Sequence, residues 1–191
     1  MKVAIVIHSM SGNTYLMGRA FADELKQLGA EVALLRVVDQ DWVEKEGLSD
    51  AARQNVSAFR ALPEATAASL EAADLIVMGC PTYFGNVTGK IKVFMDTTGG
   101  LWFHAKLAGK KFAAFTSAGN TEGGGDLCLQ AFHTYAKYMG MLVVPCPVRI
   151  LPGENVNVLG VIQYSSGKPA EILDDKTARL IRNMAAFLVA R

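Results

Sequence analysis

The chain opens Met1-Lys2-Val3-Ala4-Ile5-Val6-Ile7-His8-Ser9-Met10-Ser11-Gly12-Asn13-Thr14, an apolar run followed at once by a turn of hydroxyl residues around one glycine. Val3 to Ile7 is continuous rather than alternating and is rich in β-branched residues, which reads as a strand buried on both faces of a parallel sheet. From about Tyr15 to Leu28 the apolar residues Leu16, Ala20, Phe21, Leu25 and Leu28 recur at helical spacing, and Gly29 ends the helix. The turn between strand and helix can curl backbone amides around a phosphate. Ser9, Ser11 and Thr14 can donate hydroxyl hydrogen bonds, and the helix N-terminus adds favourable partial charge. A plainer reading makes Ser11 or Asn13 a helix cap. Three hydroxyl residues around a glycine, directly after a buried strand, exceed what a cap requires, so the phosphate reading is preferred.

Outward from this unit the pattern repeats. Glu31 to Val38 reads as a second strand. Asp39 to Leu62 reads as a polar connection with helical pieces, anchored by Trp42, Val43, Val56 and Phe59. Ala65 to Ala73 looks like a helix end, and Leu75 to Gly79 is a third buried strand, followed by a loop from Cys80 to Asn86. A helix follows over about Thr88 to Thr97. A fourth strand spans Lys111 to Thr116, a glycine-rich loop Ser117 to Gly125, and a helix about Asp126 to Met139. Met141 to Val144 is a fifth strand, stopped by Pro145 and Pro147, and a last helix covers about Asp174 to Ala190. Five strands alternating with helices give an α/β three-layer sandwich around a five-stranded parallel sheet, expected as one domain over 1–191. In such sheets ligands bind outside the carboxyl ends of the strands. The loops after strands one, three and four should therefore gather at one edge.

Composition narrows the function. The 191 residues suit a single core. With 19 basic and 18 acidic residues the net charge is +1 and no charged block stands out, which excludes phosphate-neutralising nucleic-acid binding. Hydrophobic residues make up 51% of the chain, enough for a filled core or for surface buried in an oligomer. No signal-peptide pattern and no apolar run of membrane-spanning length is present, so the expectation is a cytoplasmic protein. Cys80, Cys128 and Cys146 are dispersed, odd in number and free of a CxxC pair. They read as small buried thiols rather than a disulfide framework or a zinc site. His8, His104 and His133 show no metal-ligand spacing. His8 suits a hydrogen-bonded structural role.

Competing motifs fail on detail. Gly85 and Gly89-Lys90 are one residue too close for a Walker loop, and Ile91 stands where a magnesium-binding hydroxyl belongs. No G-x-G-x-x-G follows the first strand. A Ser-His-Asp reading has no serine to spare, because Ser9 and Ser11 serve the phosphate better.

The Ser9-Met10-Ser11-Gly12-Asn13-Thr14 turn resembles the FMN phosphate loop of flavodoxins. Pro81-Thr82-Tyr83-Phe84-Gly85-Asn86, with Phe94-Met95-Asp96-Thr97-Thr98-Gly99-Gly100-Leu101-Trp102, resembles the WrbA branch of that superfamily, FMN-dependent NAD(P)H:quinone oxidoreductases. The similarity covers about residues 2 to 147. It implies that Ser9, Ser11, Gly12, Asn13 and Thr14 surround the phosphate. It implies that Pro81, Thr82, Tyr83, Phe84, Gly85 and Asn86 run along the isoalloxazine, and that Ser117, Ala118, Gly119 and Asn120 form a third wall. Trp102, after a Gly-Gly turn, would shape the substrate space. For Phe84 the alternative is ordinary packing at a strand end, and for Trp102 it is core or subunit-interface packing. Two departures stand out. Tyr138 and Met139 replace a histidine pair that holds the cofactor across the family's subunit interface, and the glycine-rich segment after strand five is not recognisable in 151–167.

The resemblance implies a cytoplasmic homodimer or homotetramer that passes two electrons from NAD(P)H to a quinone or similar acceptor. A flavodoxin-type electron carrier between protein partners is the competing reading. Such carriers are strongly acidic, and this chain is near neutral. A regulatory domain without redox function is a third.

Overall fold

Residues with no charge on either side make strands that can be covered on both sides, and the chain places such strands at the centre. The computed structural model describes residues 1–41, 43, 46–169 and 171–190. Its strands are β1 (Lys2–Ile7), β2 (Glu31–Arg36), β3 (Leu75–Pro81), β4 (Lys111–Ala118), β5 (Leu142–Val143) and β6 (Val161–Tyr164). Its helices are α1 (Asn13–Gln27), α2 (Asp50–Arg60), α3 (Ala67–Glu71), α4 (Gly89–Thr97), α5 (Gly99–Phe103), α6 (Gly125–Tyr138) and α7 (Asp175–Val189). The sheet runs β2-β1-β3-β4-β5, and every pairing is parallel.

Alternate residues of the central strands feed two cores. Ala4, Val6, Ile76, Met78, Phe112 and Ala114 join Leu70, Ile91, Phe94 and Phe132 on one face. Val3, Ile5, Ile7, Leu75, Val77 and Phe115 join Phe21, Leu25, Leu180, Ile181 and Leu188 on the other. This two-sided burial explains the unbroken apolar runs. Each large side chain contributes about 1.5–3 kcal/mol by leaving water. No helix among the described residues is long and apolar enough to cross a membrane.

The five-strand α/β reading holds, with one addition. β5 pairs only with Lys111 and Phe112 at the start of β4, and β6 pairs with Phe115 to Ala118 farther along the same edge. The fifth position of the sheet is therefore shared by two short strands. β6 lies inside 151–167, where the family's glycine-rich segment was not recognisable and no strand was expected. It forms because the outer edge of β4 has backbone groups that would otherwise be unpaired.

Smaller corrections concern boundaries. Ser117 and Ala118 belong to β4 rather than to a loop, and α1 already starts at Asn13. Gly99 and Gly100 are the first residues of α5, not a turn before it. In the long connection, α2 is capped by the Ser49 side chain and buries Val56 and Phe59 as anchors. Val43 is exposed instead, and Trp42 lies outside the described residues.

Candidate functional site

Parallel strands end together, so the loops after β1, β3 and β4 meet at one edge. They enclose a pocket of about 410 Å³ there. A second pocket, of about 430 Å³, lies between β6 and α7 and includes Asn155, Asp174 and Lys176, away from these three loops. The smaller pocket is the candidate because the strand-end chemistry converges on it.

From the first loop, Ser9, Met10, Ser11, Asn13 and Thr14 line the pocket. Gly12 is the N-cap residue of α1, with φ 94°, and no side chain caps the helix. The capping alternative for Ser11 or Asn13 is thereby removed. The Tyr15 amide instead donates to Ser9 Oγ at 3.3 Å. No acidic residue occupies the first turn of α1, so nothing there offsets its favourable field for an anion. Gly12 is needed twice over. Its φ is left-handed, and a Cβ would stand 3.0 Å from Cβ of Asn55 on α2. The connection between β2 and β3 thus supplies a helix that backs this loop.

The second loop gives Pro81, Thr82 and Tyr83. The Thr82 amide donates to the Ser117 carbonyl at 2.9 Å, and its hydroxyl to the Gly124 carbonyl at 3.3 Å. Tyr83 and Asn86 exchange backbone hydrogen bonds of 3.1 and 3.0 Å around Phe84 (φ 53°) and Gly85 (φ 69°). That turn throws Phe84 fully into solvent, which overturns its packing alternative. A Cβ on Gly124 would lie 2.7 Å from Gly85 Cα, so the second and third loops touch backbone to backbone.

The third loop gives Ser117, Ala118 and Gly119. Ser117 Oγ and Thr14 Oγ1 form a buried hydrogen bond of 3.0 Å that ties it to the first loop. Phe84, Gly85, Asn86, Asn120 and Trp102 are not among the lining residues. Trp102 is 56% exposed on α5.

The structure adds residues that the sequence reading omitted. Val43 lines the pocket, and so do Ser165, Gly167 and Lys168 from a turn after β6. Ser165 donates to the Ala118 carbonyl through its amide (2.9 Å) and its hydroxyl (3.2 Å). Asn13 Nδ2 donates to the Lys168 carbonyl at 3.2 Å. A signal existed: Val161-Ile162-Gln163-Tyr164-Ser165-Ser166-Gly167 repeats, in miniature, the strand and hydroxyl–glycine turn at the start of the chain.

Beside the pocket, His8 Nε2 meets Asp39 Oδ2 at 3.0 Å, and Lys90 Nζ lies 3.0 Å from Asp39 Oδ1. Burial lowers the His8 pKa against the opposing effect of Asp39. For Asp39, burial acts upward, but the hydrogen bonds from His8 and Lys90 outweigh it and hold the carboxyl below its ordinary value. His8 is thus hydrogen-bonded, as the sequence led one to expect. All three cysteines are buried, and two of them meet: Cys80 and Cys128 Sγ atoms are 3.9 Å apart. Burial pushes the Cys80 thiol well up, while the hydrogen bond from Cys80 lowers that of Cys128.

The family model described as NADPH-dependent FMN reductase matches residues 1–155. The chain belongs to this family. It is 42% identical over 147 residues to a protein of Deinococcus radiodurans named NAD(P)H dehydrogenase (quinone), covering 75% of this chain and 72% of that one. A protein of the same name from Syntrophus aciditrophicus is 32% identical over 181 residues, covering 92% and 87%. Among solved structures, a WrbA-like flavodoxin from Agrobacterium tumefaciens superposes with TM-score 0.65 at 24% identity over 98% of this chain and 94% of that one. Oxidised flavodoxin 1 from Bacillus cereus does so with TM-score 0.64 at 19% identity, covering 99% and 97%. The fold is flavodoxin-like.

Proposed function

We propose that this chain is an FMN-dependent oxidoreductase that takes two electrons from NAD(P)H and passes them to a quinone or similar small acceptor. One observation carries the reading. The carboxyl-edge pocket brings the hydroxyl side chains of Ser9, Ser11 and Thr14, at a helix N-terminus without a side-chain cap, together with Pro81, Thr82, Tyr83 and Gly119. Its volume falls in the range of small-molecule sites, about 300–1,000 Å³. Hydroxyls at a helix N-terminus suit a phosphate monoester, and the open backbone and aromatic surface of the other two loops suit a planar ring, so the residues fit FMN.

Bound FMN supplies the hydride and electron chemistry. The residues here bind and orient. Ser9, Ser11 and Thr14, with the α1 amides, would hold the phosphate, and Gly12 shapes the turn. Pro81, Thr82 and Tyr83 would hold the ring, and Phe84, Gly85 and Asn86 form the turn that fixes them. Ser117, Ala118 and Gly119 close the opposite side, and Asn120 holds that loop by accepting the Gly123 amide at 3.2 Å. A Cβ at Gly119 would meet nothing within 4 Å, so this wall offers open backbone to a ligand.

Trp102, Phe103, Val93 and Tyr138 are large exposed apolar side chains on α4, α5 and α6. They support self-association into a dimer or tetramer, with Trp102 near a neighbouring copy rather than in this pocket. Three buried cysteines that form no disulfide support a cytoplasmic setting, and the two continuous cores support one domain over 1–191.

The test is anaerobic titration of the FMN-loaded protein with NADH and NADPH, then with a small quinone. Bleaching of the flavin band and rapid recovery are expected. No reduction by either nucleotide, with a stable radical under dithionite, would establish the electron-carrier reading instead.

A further inference from the structure

A pocket built for a phosphate dianion from hydroxyls and one helix N-terminus leaves much of the charge to be balanced. Among the described residues, the single cationic side chain lining it is Lys168. The turn that carries it is specifically shaped. Ser166 (φ 51°) and Gly167 (φ 72°) take successive left-handed conformations, and the Lys168 amide closes onto the Ser165 carbonyl at 3.0 Å. Ser165 fixes one end of the turn to the Ala118 carbonyl, and Asn13 fixes the other by donating to the Lys168 carbonyl. The backbone of Lys168 is thus fastened to the residue between the phosphate-loop glycine and Thr14. Its ammonium forms no ion pair among the described residues, although carboxylates engage Lys90, Lys92, Lys106 and Lys176.

We propose that Lys168 contacts a phosphate monoester in this pocket, namely that of the flavin nucleotide. The inference rests on the FMN reading above and adds a binding residue beyond Asn155, where the family match ends. The other phosphate monoester within the proposed chemistry is the one that distinguishes NADPH from NADH. Attachment to Asn13, at the N-terminal turn of α1, favours the flavin's.

The test titrates apo-protein with FMN and with riboflavin, following flavin fluorescence, for wild type, Lys168→Ala and Lys168→Arg at low and high ionic strength. Lys168→Ala should weaken FMN binding about five- to tenfold at low salt and leave riboflavin unchanged, because only one ligand carries the charge. Arginine should restore most of the affinity, and high salt should shrink the difference. Unchanged FMN affinity in Lys168→Ala would overturn the proposal, as would equal loss for both ligands, which marks a turn that only packs. If FMN binding is unchanged but the dissociation constant for NADPH rises relative to NADH, the lysine serves the nicotinamide nucleotide and the assignment is wrong. Wild-type protein that binds neither flavin overturns the cofactor reading, and this proposal with it.

Discussion

The Ser9–Thr14 loop and the Ser165–Lys168 turn face the same pocket and are held in opposite ways. Ser9, Asn13 and Thr14 are buried, and the loop runs directly into a fifteen-residue helix. It is backed by α2, through Asn55 against Gly12 and Phe59 edge-on to His8. The Ser165–Lys168 turn is largely exposed and is held by three hydrogen bonds to Ala118 and Asn13. One wall is part of the core, and its geometry is fixed before any ligand arrives. The other is a clip whose position depends on a few surface bonds. Preorganised donors bind without ordering cost, whereas a clipped-on cation gives charge at the cost of adaptability.

Changes to the core-built side should cost most. Gly124→Ala forces a Cβ against the Gly85 backbone and a left-handed φ on alanine. It should lose about 2 kcal/mol or more in a denaturant melt. A stability equal to wild type would show that the second and third loops are free to part.

Thr14→Val comes next. It removes a hydroxyl from both the phosphate end and the bond to Ser117. FMN binding should weaken by about 1.5–3 kcal/mol with riboflavin nearly unaffected. Equal weakening of both would detach this loop from the phosphate.

A third expectation concerns acid. His8 and His133 both have lowered pKa values, with burial the main cause, so the unfolded chain binds more protons than the folded one. Their effect is absent well above the ordinary value of 6.5 and destabilises the fold as pH falls through it. Asp39 has the same sign lower down. Its contribution is present above 3.8 and is lost as pH falls through that value and then through the lowered folded one. His8→Gln should flatten the loss of stability below about pH 6.5 relative to wild type. Melting temperatures at a series of pH values would reveal it, and parallel curves would remove His8 from the account.

The smallest effect belongs to the clip. Ser165→Ala deletes one hydroxyl bond but leaves the amide bond to Ala118, and should cost about 0.5–1 kcal/mol in the same melt. A larger loss would mean that the turn is part of the core after all.

The same division governs what could be read from the amino-acid order. Val3–Ile7, Leu75–Gly79 and Lys111–Thr116 are legible because two-sided burial writes an unbroken apolar run, and the loop chemistry follows each run immediately. β6 carries only a four-residue echo of the first strand and its turn, because it is stabilised by the edge of β4 more than by its own pattern. Its inward residues are Val161 and Gln163, and the glutamine is 3% exposed with Oε1 unpartnered among the described residues. A buried polar residue in a four-residue strand breaks the pattern that reveals strands. Lys168 is hidden for the same reason, since its place depends on that strand. Val56 and Phe59 were legible as anchors, but the placement of α2 behind Gly12 was not, since the apolar side of a helix does not say which element it will cover. Trp102 closes a family-like motif, but motif membership does not say which way a side chain faces, and this one is exposed on α5.

The bond between Asn13 and Lys168 joins positions 155 apart in the chain. On a ribosome the first wall of the pocket exists long before the last one has been synthesised. The closing turn can settle only when β6 has joined β4. Contacts of such separation form late, because the intervening chain must first be ordered. A nascent or truncated chain therefore offers flavin an unfinished socket. The cofactor should act on the lifetime of the finished protein and not on the speed of its making: added FMN should slow unfolding and leave the refolding rate unchanged, and faster refolding in its presence would show that the socket forms early.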